Sequence, residues 1–296
     1  MTTFTLGSTT VSRIEESSGL GFQARVLLPD WYDGILDQHR HWLVPQHFNI
    51  ETQRFILSVH SWLIRTPQHN ILVDTCGGDD KERPDFLAFH QKKTGYLDKL
   101  AAAGLRPEDI DYVLCTHLHV DHVGWNTQLR DGRWVPTFPN ATYVFSKADL
   151  ALYDAQAGLG GGSAERSRVY NDSVLPIIEA GQVEYVIGHH MLGAGLHIEP
   201  APGHTPGHVT LRLEGGGQDA LFVGDILHHP IQVFEPDWNS AFCVDQVAAR
   251  ATRRRVLSQC ADHGSLLCPA HFGAPHCGHV ARAPGGKFVF VAGAPA

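Results

Sequence analysis

The sequence has no apolar run approaching the ~18 residues needed to span a bilayer. Its opening stretch, MTTFTLGSTTVSRIEE, has no basic segment leading into an apolar core. The expectations that follow are no membrane association and a cytoplasmic location. Charge is sparse, at 18% Asp, Glu, Lys and Arg, and the formal net charge is −8. No block of Lys or Arg reads as an electrostatic footprint, and Arg253-Arg254-Arg255 is expected on the solvated side of a helix. An acidic chain without such a footprint argues against a nucleic-acid partner. The six cysteines are dispersed and none forms C-x-x-C, so buried free thiols are expected rather than disulfides. There is no short-period repeat and no sharp break in composition, which leaves residues 1–296 as one domain.

What the chain does have is histidine, 20 in 296 residues. Residues 117–122 read His117-Leu118-His119-Val120-Asp121-His122. Neutral imidazole and carboxylate suit zinc and its first-row neighbours. The motif follows the apolar run Tyr112-Val113-Leu114-Cys115, so its ligands belong on a loop at the end of a strand. His117 and His119, two apart, point the same way from an extended segment. That spacing separates the motif from the helical H-E-x-x-H type, whose histidines are four apart. Cys115 lies near, but enough harder ligands are available without it.

Three later segments share one grammar: a strand, a tight turn, then a metal-capable residue. In Pro202-Gly203-His204-Thr205-Pro206-Gly207-His208 the glycines allow unusual backbone angles and Pro206 stiffens the turn. Leu221-Phe222-Val223-Gly224-Asp225 ends an apolar strand on a carboxylate, for which a cation is a natural partner. Leu266-Leu267-Cys268-Pro269-Ala270-His271 again ends a strand near a histidine. With residues 117–122 these supply the side chains for two metals.

Alternation and apolar runs predict strands over residues 3–16, 55–65, 71–74, 111–116, 142–145, 183–187, 196–200, 208–213, 220–224, 266–268 and 287–291. Helices are expected over 94–103, 146–153, 164–180 and 244–263, with 158–180 forming a helical insertion. Residues 17–54 carry Pro29, Gly34 and Pro45 together with Trp31, Tyr32, Trp42 and Phe48. They read as a long aromatic-rich connection serving as a lid, a pocket wall or a dimer contact.

These ordered motifs make the chain similar to the metallo-β-lactamase superfamily over roughly residues 50–292. The resemblance implies an α/β fold, an αββα sandwich of two mixed β-sheets flanked by helices. Carried over residue by residue, it implies that His117, His119 and His204 hold one metal. Asp121, His122 and His271 would then hold a second, with Asp225 bridging both. It also implies that Asp74, in Leu72-Val73-Asp74-Thr75, hydrogen-bonds near the ligand loop. The expected cofactors are two divalent ions, Zn2+ first, with Fe, Mn or Co as alternatives.

Within the superfamily the chain most resembles the N-acyl homoserine lactone lactonase and methyl parathion hydrolase-like branch, in its His204–Asp225 and Asp225–His271 spacings and its tail. It departs from the lactonases three residues after Asp225, where His228 stands in place of a tyrosine. His228 is therefore a candidate polariser or proton donor. The implied activity is attack on a lactone or ester carbonyl by a metal-bridging hydroxide, with Asp121, Asp225 and His228 as catalytic residues. Promiscuity toward phosphotriesters is part of the same expectation. An iron-dependent sulfur dioxygenase-like enzyme and a β-lactam-hydrolysing member are the alternatives. The expected partner is a hydrophobic small-molecule substrate, with no nucleic acid or membrane, and a homodimer is left open.

Overall fold

A computed structural model describes residues 2–153, 163–193 and 195–293. The first sheet is built from β1 (Thr3–Leu6), β2 (Thr9–Gln23), β3 (Phe48–Asn49), β4 (Arg54–Arg65), β5 (Asn70–Val73) and β6 (Tyr112–Leu114). A separate hairpin, β7 (Thr127–Arg130) and β8 (Arg133–Pro136), interrupts it before β9 (Thr142–Ser146) and β10 (Val183–Val186). Its strand order is β1-β2-β4-β5-β6-β9-β10, with β3 added on β4. The second sheet runs in sequence order through β11 (His190–Gly193), β12 (Leu196–Pro200), β13 (Val209–Gly215), β14 (Gln218–Gly224), β15 (Leu266–Pro269), β16 (Gly278–Arg282) and β17 (Phe288–Ala292).

Side-chain alternation sorts these strands into layers. Ile64, Ile71, Val73, Leu114 and Val144 of the first sheet pack against Ile198, Leu211, Phe222 and Cys268 of the second. Their immediate neighbours Leu63, Leu72, Val113, Tyr143 and Phe145 face the other way, onto helices. Those helices are α3 (Tyr96–Ala102), α4 (Ala164–Val169) and α5 (Leu175–Glu179), the last two joined by a π turn at Tyr170–Val174. On the far side Leu221, Val223 and Leu267 meet Val256, Leu257 and Cys260 of α7 (Gln246–His263). The result is the expected four-layer αββα sandwich of two mixed sheets.

β5, β6 and β9 are parallel neighbours, as are β14 and β15. Parallel strands present their C-terminal ends on one rim, where binding sites of open α/β sheets collect. The second pair is joined by α6 (Ile231–Phe234) and α7, the latter capped at its first turn by Asp245 accepting from Val247 and Ala248 N–H at 3.0 and 2.9 Å. Among the described residues no helix is long and apolar enough to cross a membrane.

Several expectations change. Residues 17–54, read as an aromatic-rich connection, contain regular elements. β2 continues to Gln23, followed by α1 (Ala24–Leu27) and α2 (Ile35–Leu43) before β3. Trp31, Phe48 and Phe55 pack with Trp238 into a small separate core, because burying each other's rings satisfies more apolar area than facing a cavity would. Arg253 is not solvated. It is buried, and its guanidinium donates to the Ile226 and Pro236 carbonyls at 2.8 Å each. The 158–180 insertion is helical over 164–179, and residues 158–162 lie outside the described part. All six cysteines are free and buried.

Candidate metal centre

Asp74 follows β5 and takes a left-handed backbone angle, φ 59°. The parallel register Val73↔Leu114 sets it beside the start of the ligand loop. Its Oδ1 accepts the Thr116 N–H at 2.7 Å, and its Oδ2 accepts the His122 Nδ1–H at 2.9 Å. The Thr116 hydroxyl donates to the same carboxylate at 2.9–3.0 Å and lies 3.1 Å from His117 Nδ1. The second sheet brings the rest. His271, just past β15, has Nδ1 3.0 Å from the Ser58 carbonyl of β4 and its own carbonyl 3.1 Å from Ser58 N.

With their outer nitrogens engaged as donors, the inner nitrogens carry lone pairs. His271 Nε2 lies 3.2 Å from His122 Nε2. His119 Nδ1 lies 3.1 Å from His117 Nε2 and 2.9 Å from His204 Nε2. His204 Nδ1 faces the Cys243 thiol at 3.8 Å. Neutral lone pairs facing one another at this range repel unless a proton or a cation lies between them.

Asp225 divides its two oxygens. Oδ2 faces His204 at 3.3 Å, His117 at 3.6 Å and His228 at 3.2 Å, whereas Oδ1 faces His122 at 3.2 Å and His271 at 3.0 Å. Asp121 carboxylate oxygens lie 3.7 Å from His122 Nε2 and 3.5 Å from His271 Nε2. His117, His119, His204 and Asp225 thus form one cluster of metal-capable atoms, and Asp121, His122 and His271 a second, each within 4.8 Å.

Burial keeps His117 and His204 neutral, far below the usual imidazole range, and lowers His119 to about 4. Burial also opposes charge on His122, but Asp225, Asp74 and Asp121 outweigh it and raise its proton affinity; His271 shifts the same way beside Asp225. Burial works against the Asp225 carboxylate, yet His122, His271 and His228 hold it well below the ordinary carboxyl range. The donor chemistry therefore fits cations: neutral imidazoles, ionised carboxylate, and a proton held where a metal would compete for the same lone pair.

His228 is 5% exposed, and among the described residues neither ring nitrogen has a hydrogen-bond partner, although Nε2 lies 3.2 Å from Asp225 Oδ2. It stacks on His271, with ring centroids 5.7 Å apart and planes 21° apart. His208 acts differently, its Nε2 accepting the Asp225 N–H at 3.1 Å.

The cluster opens into a cavity of about 1320 Å³ lined by both sheets. Asp121, His119, His204, Asp225, His228 and His271 form its floor, and Leu20, Phe22, Leu57, Phe89, Val169 and Phe242 much of its walls. Of residues 17–54, Ser17–Gln23, Val26, Leu27 and Arg54 line it; Trp31 and Trp42 do not. Phe22 is thus the aromatic of that segment that reaches the cavity. Glu16 went unread in the sequence. Its buried carboxylate accepts the backbone N–H groups of Gly77 and Gly78 and the Trp125 indole N–H at 2.9–3.0 Å, bracing the chain on either side of the 117–122 loop. Neither Glu16 nor the Ser58 carbonyl stands in a motif that could have marked it.

The family profile described as the metallo-beta-lactamase superfamily matches residues 55–271. An N-acyl homoserine lactonase from Bacillus sp is 30% identical over 170 residues, covering 53% of this chain and 59% of the relative. The N-acyl homoserine lactonase AttM from Rhizobium radiobacter is 29% identical over 122 residues, covering 40% and 42%. The chain therefore spans little more than half the length of the curated relatives it matches. Among solved structures, the hydrolase AbOPH superposes with a TM-score of 0.81 at 21% identity, covering 99% of this chain and 97% of that one. AidC, a dizinc quorum-quenching lactonase solved with a product, superposes with a TM-score of 0.77 at 21% identity and the same coverage. At these identities the two superpositions show the shared fold.

Proposed function

Because the chain belongs to the metallo-beta-lactamase superfamily, we propose that it is a hydrolase of lactones or esters that works with two divalent cations, zinc foremost. The observation that carries this reading is Asp225, whose two oxygens face two separate imidazole clusters. A carboxylate so placed could hold one cation on each oxygen. The lactonase names of the curated relatives and the dizinc description of one structural neighbour support the same choice.

In this reading His117, His119, His204 and Asp225 hold one cation, and Asp121, His122, His271 and Asp225 the other. When bound, such cations supply Lewis acidity for a carbonyl or phosphoryl oxygen and bring the pKa of water toward neutrality. Everything else falls to the protein. Asp74 and the Ser58 carbonyl fix the His122 and His271 rings by holding their outer nitrogens. Asp121, whose side chain is 20% exposed toward the cavity, is placed to hold a proton as the scissile C–O bond breaks. His228 sits on the cavity floor beside Asp225 and His271, placed to donate a proton to the leaving oxygen. The apolar walls exclude water and accept the hydrocarbon part of a substrate, and phosphotriesters are a secondary substrate class.

The test uses chelator-stripped protein reconstituted with zinc under anaerobic conditions. It is assayed against acyl-homoserine lactones, other lactones, aryl esters, phosphotriesters and β-lactams. The expected result is restored hydrolysis of lactones or esters, since hydrolysis needs no oxygen. Turnover that requires both iron and oxygen would refute the reading.

A further inference from the structure

The two halves of the centre do not rest on the same support. Asp74 holds the His122 ring directly and reaches His117 only through the Thr116 hydroxyl. Nothing so far accounts for how the turn carrying His117 and His119 is held in register with the separate turn carrying His204, which comes from the other sheet. The 3-10 helix Lys147–Tyr153 lies between them.

We propose that Asp149 of this helix is a positioning residue that fixes the His117/His119/His204 half-site by tying its two turns to each other. Its Oδ2 accepts the Leu118 N–H at 2.7 Å, and Leu118 separates His117 from His119. Its Oδ1 accepts the Gly207 N–H at 3.0 Å, three residues after His204. The same helix holds the other backbone group of Leu118, because the Tyr153 hydroxyl donates to the Leu118 carbonyl. Both main-chain groups between the two ligand histidines are thereby fixed by one element. The approach is close enough to require glycine at 207, where a Cβ would lie 2.2 Å from the Asp149 nitrogen.

The side-chain chemistry is specific. Asp149 is fully buried, and each of its oxygens accepts from a different turn. An ionised carboxylate offers acceptors on both oxygens. An asparagine offers one acceptor, and its NH2 would confront an N–H of the remaining turn. Asp149 and Asp74 therefore form a pair of buried carboxylates, one bracing each half-site.

This inference rests on the two-cation reading, and a Co2+ titration of chelator-stripped protein, followed by d–d absorption, separates the two. Orienting groups behind metal ligands are worth about 10–100-fold in affinity. Asp149→Asn should weaken one of two binding steps by at least about tenfold and leave the other within about threefold. Tyr153→Phe should weaken the same step by less, and Asp74→Asn should weaken the other step. Thermal unfolding of the stripped variants identifies any that fail to fold, and Tyr153→Phe decides the matter if Asp149→Asn is among them. Unchanged steps in Asp149→Asn and Tyr153→Phe, or loss of the same step in Asp149→Asn and Asp74→Asn, overturn the proposal. If the wild type binds a single equivalent, the two-cation reading falls on its own. Asp149 is then judged on that one step, where an unchanged affinity in Asp149→Asn overturns it.

Discussion

The outer nitrogens of His122 and His271 are held by protein acceptors while their inner nitrogens face the cluster, and this separates their roles from that of His228. His122 is aimed by Asp74 and His271 by a main-chain carbonyl, whereas His228 has neither support and touches the cluster through Asp225 and ring stacking. His228→Phe keeps a ring to stack on His271 and removes the proton donor. A fall in kcat of about 10²-fold with unchanged metal content is the expected result, the lower end of the range for general acid–base catalysis. Unchanged kcat, read beside metal analysis by mass spectrometry, would leave His228 a packing residue. The clustered metal-capable residues were legible in the sequence because strand-end loops bring several of them together within six positions or behind glycine turns. Asp149 and the Ser58 carbonyl were not legible. One stands in an ordinary helical context, and the other is a backbone atom that any residue would supply.

At the scale of elements, the helical segment 164–179 is held over the first sheet by a buried ion cluster. Arg83 makes a two-pronged contact with Asp172 at 2.7 Å on each prong, and Lys81 Nζ approaches the same carboxylate at 3.6 Å. Both cations are fully buried. Burial presses the Lys81 ammonium down to about 7, with Asp172 opposing. Asp172→Ala removes the carboxylate that pairs with the buried Arg83 and drives Lys81 further toward its neutral form, which should cost about 3–5 kcal/mol of stability in urea unfolding. A loss below about 1 kcal/mol would mean the cluster is solvated as a surface pair would be. Strands with apolar runs were readable from sequence. α1 and α2 were not, because Pro29, Gly34 and Pro45 punctuate them and their aromatic partners lie far away, at Trp238 and Phe234. The β7–β8 hairpin was also missed, although its Asp131-Gly132 pair, with φ of 49° and 75°, is the two-residue turn signal for such a hairpin.

For the whole molecule, the layered core encloses an unusual number of neutral histidines. Burial lowers His47 and His276 to about 4 and His208 to about 3, and pushes His60 and His229 well below the usual range. None of these five is in the proposed ligand set. As pH falls below ~6.5 the unfolded chain takes up protons that the folded chain refuses. Stability is therefore present above that pH and is lost as the solution is acidified. Each such histidine steepens the fall by up to about 1.4 kcal/mol per pH unit. His122 and His271, whose proton affinity is raised, oppose the trend in metal-free protein. Urea midpoints at pH 8, 6.5 and 5 should fall in that order, and a flat profile would contradict the burial of neutral imidazoles. Metal binding has the opposite requirement to proton binding, so cation affinity should rise with pH over the same range. The central claim is that the two clusters joined by Asp225 act as one hydrolytic centre. The most direct measurement of it is the rate of acyl-homoserine lactone hydrolysis as Zn2+ is added stepwise to stripped protein. The rate should stay low through the first equivalent and reach its maximum at the second. Full activity at one equivalent, or no hydrolysis at two, would contradict the account.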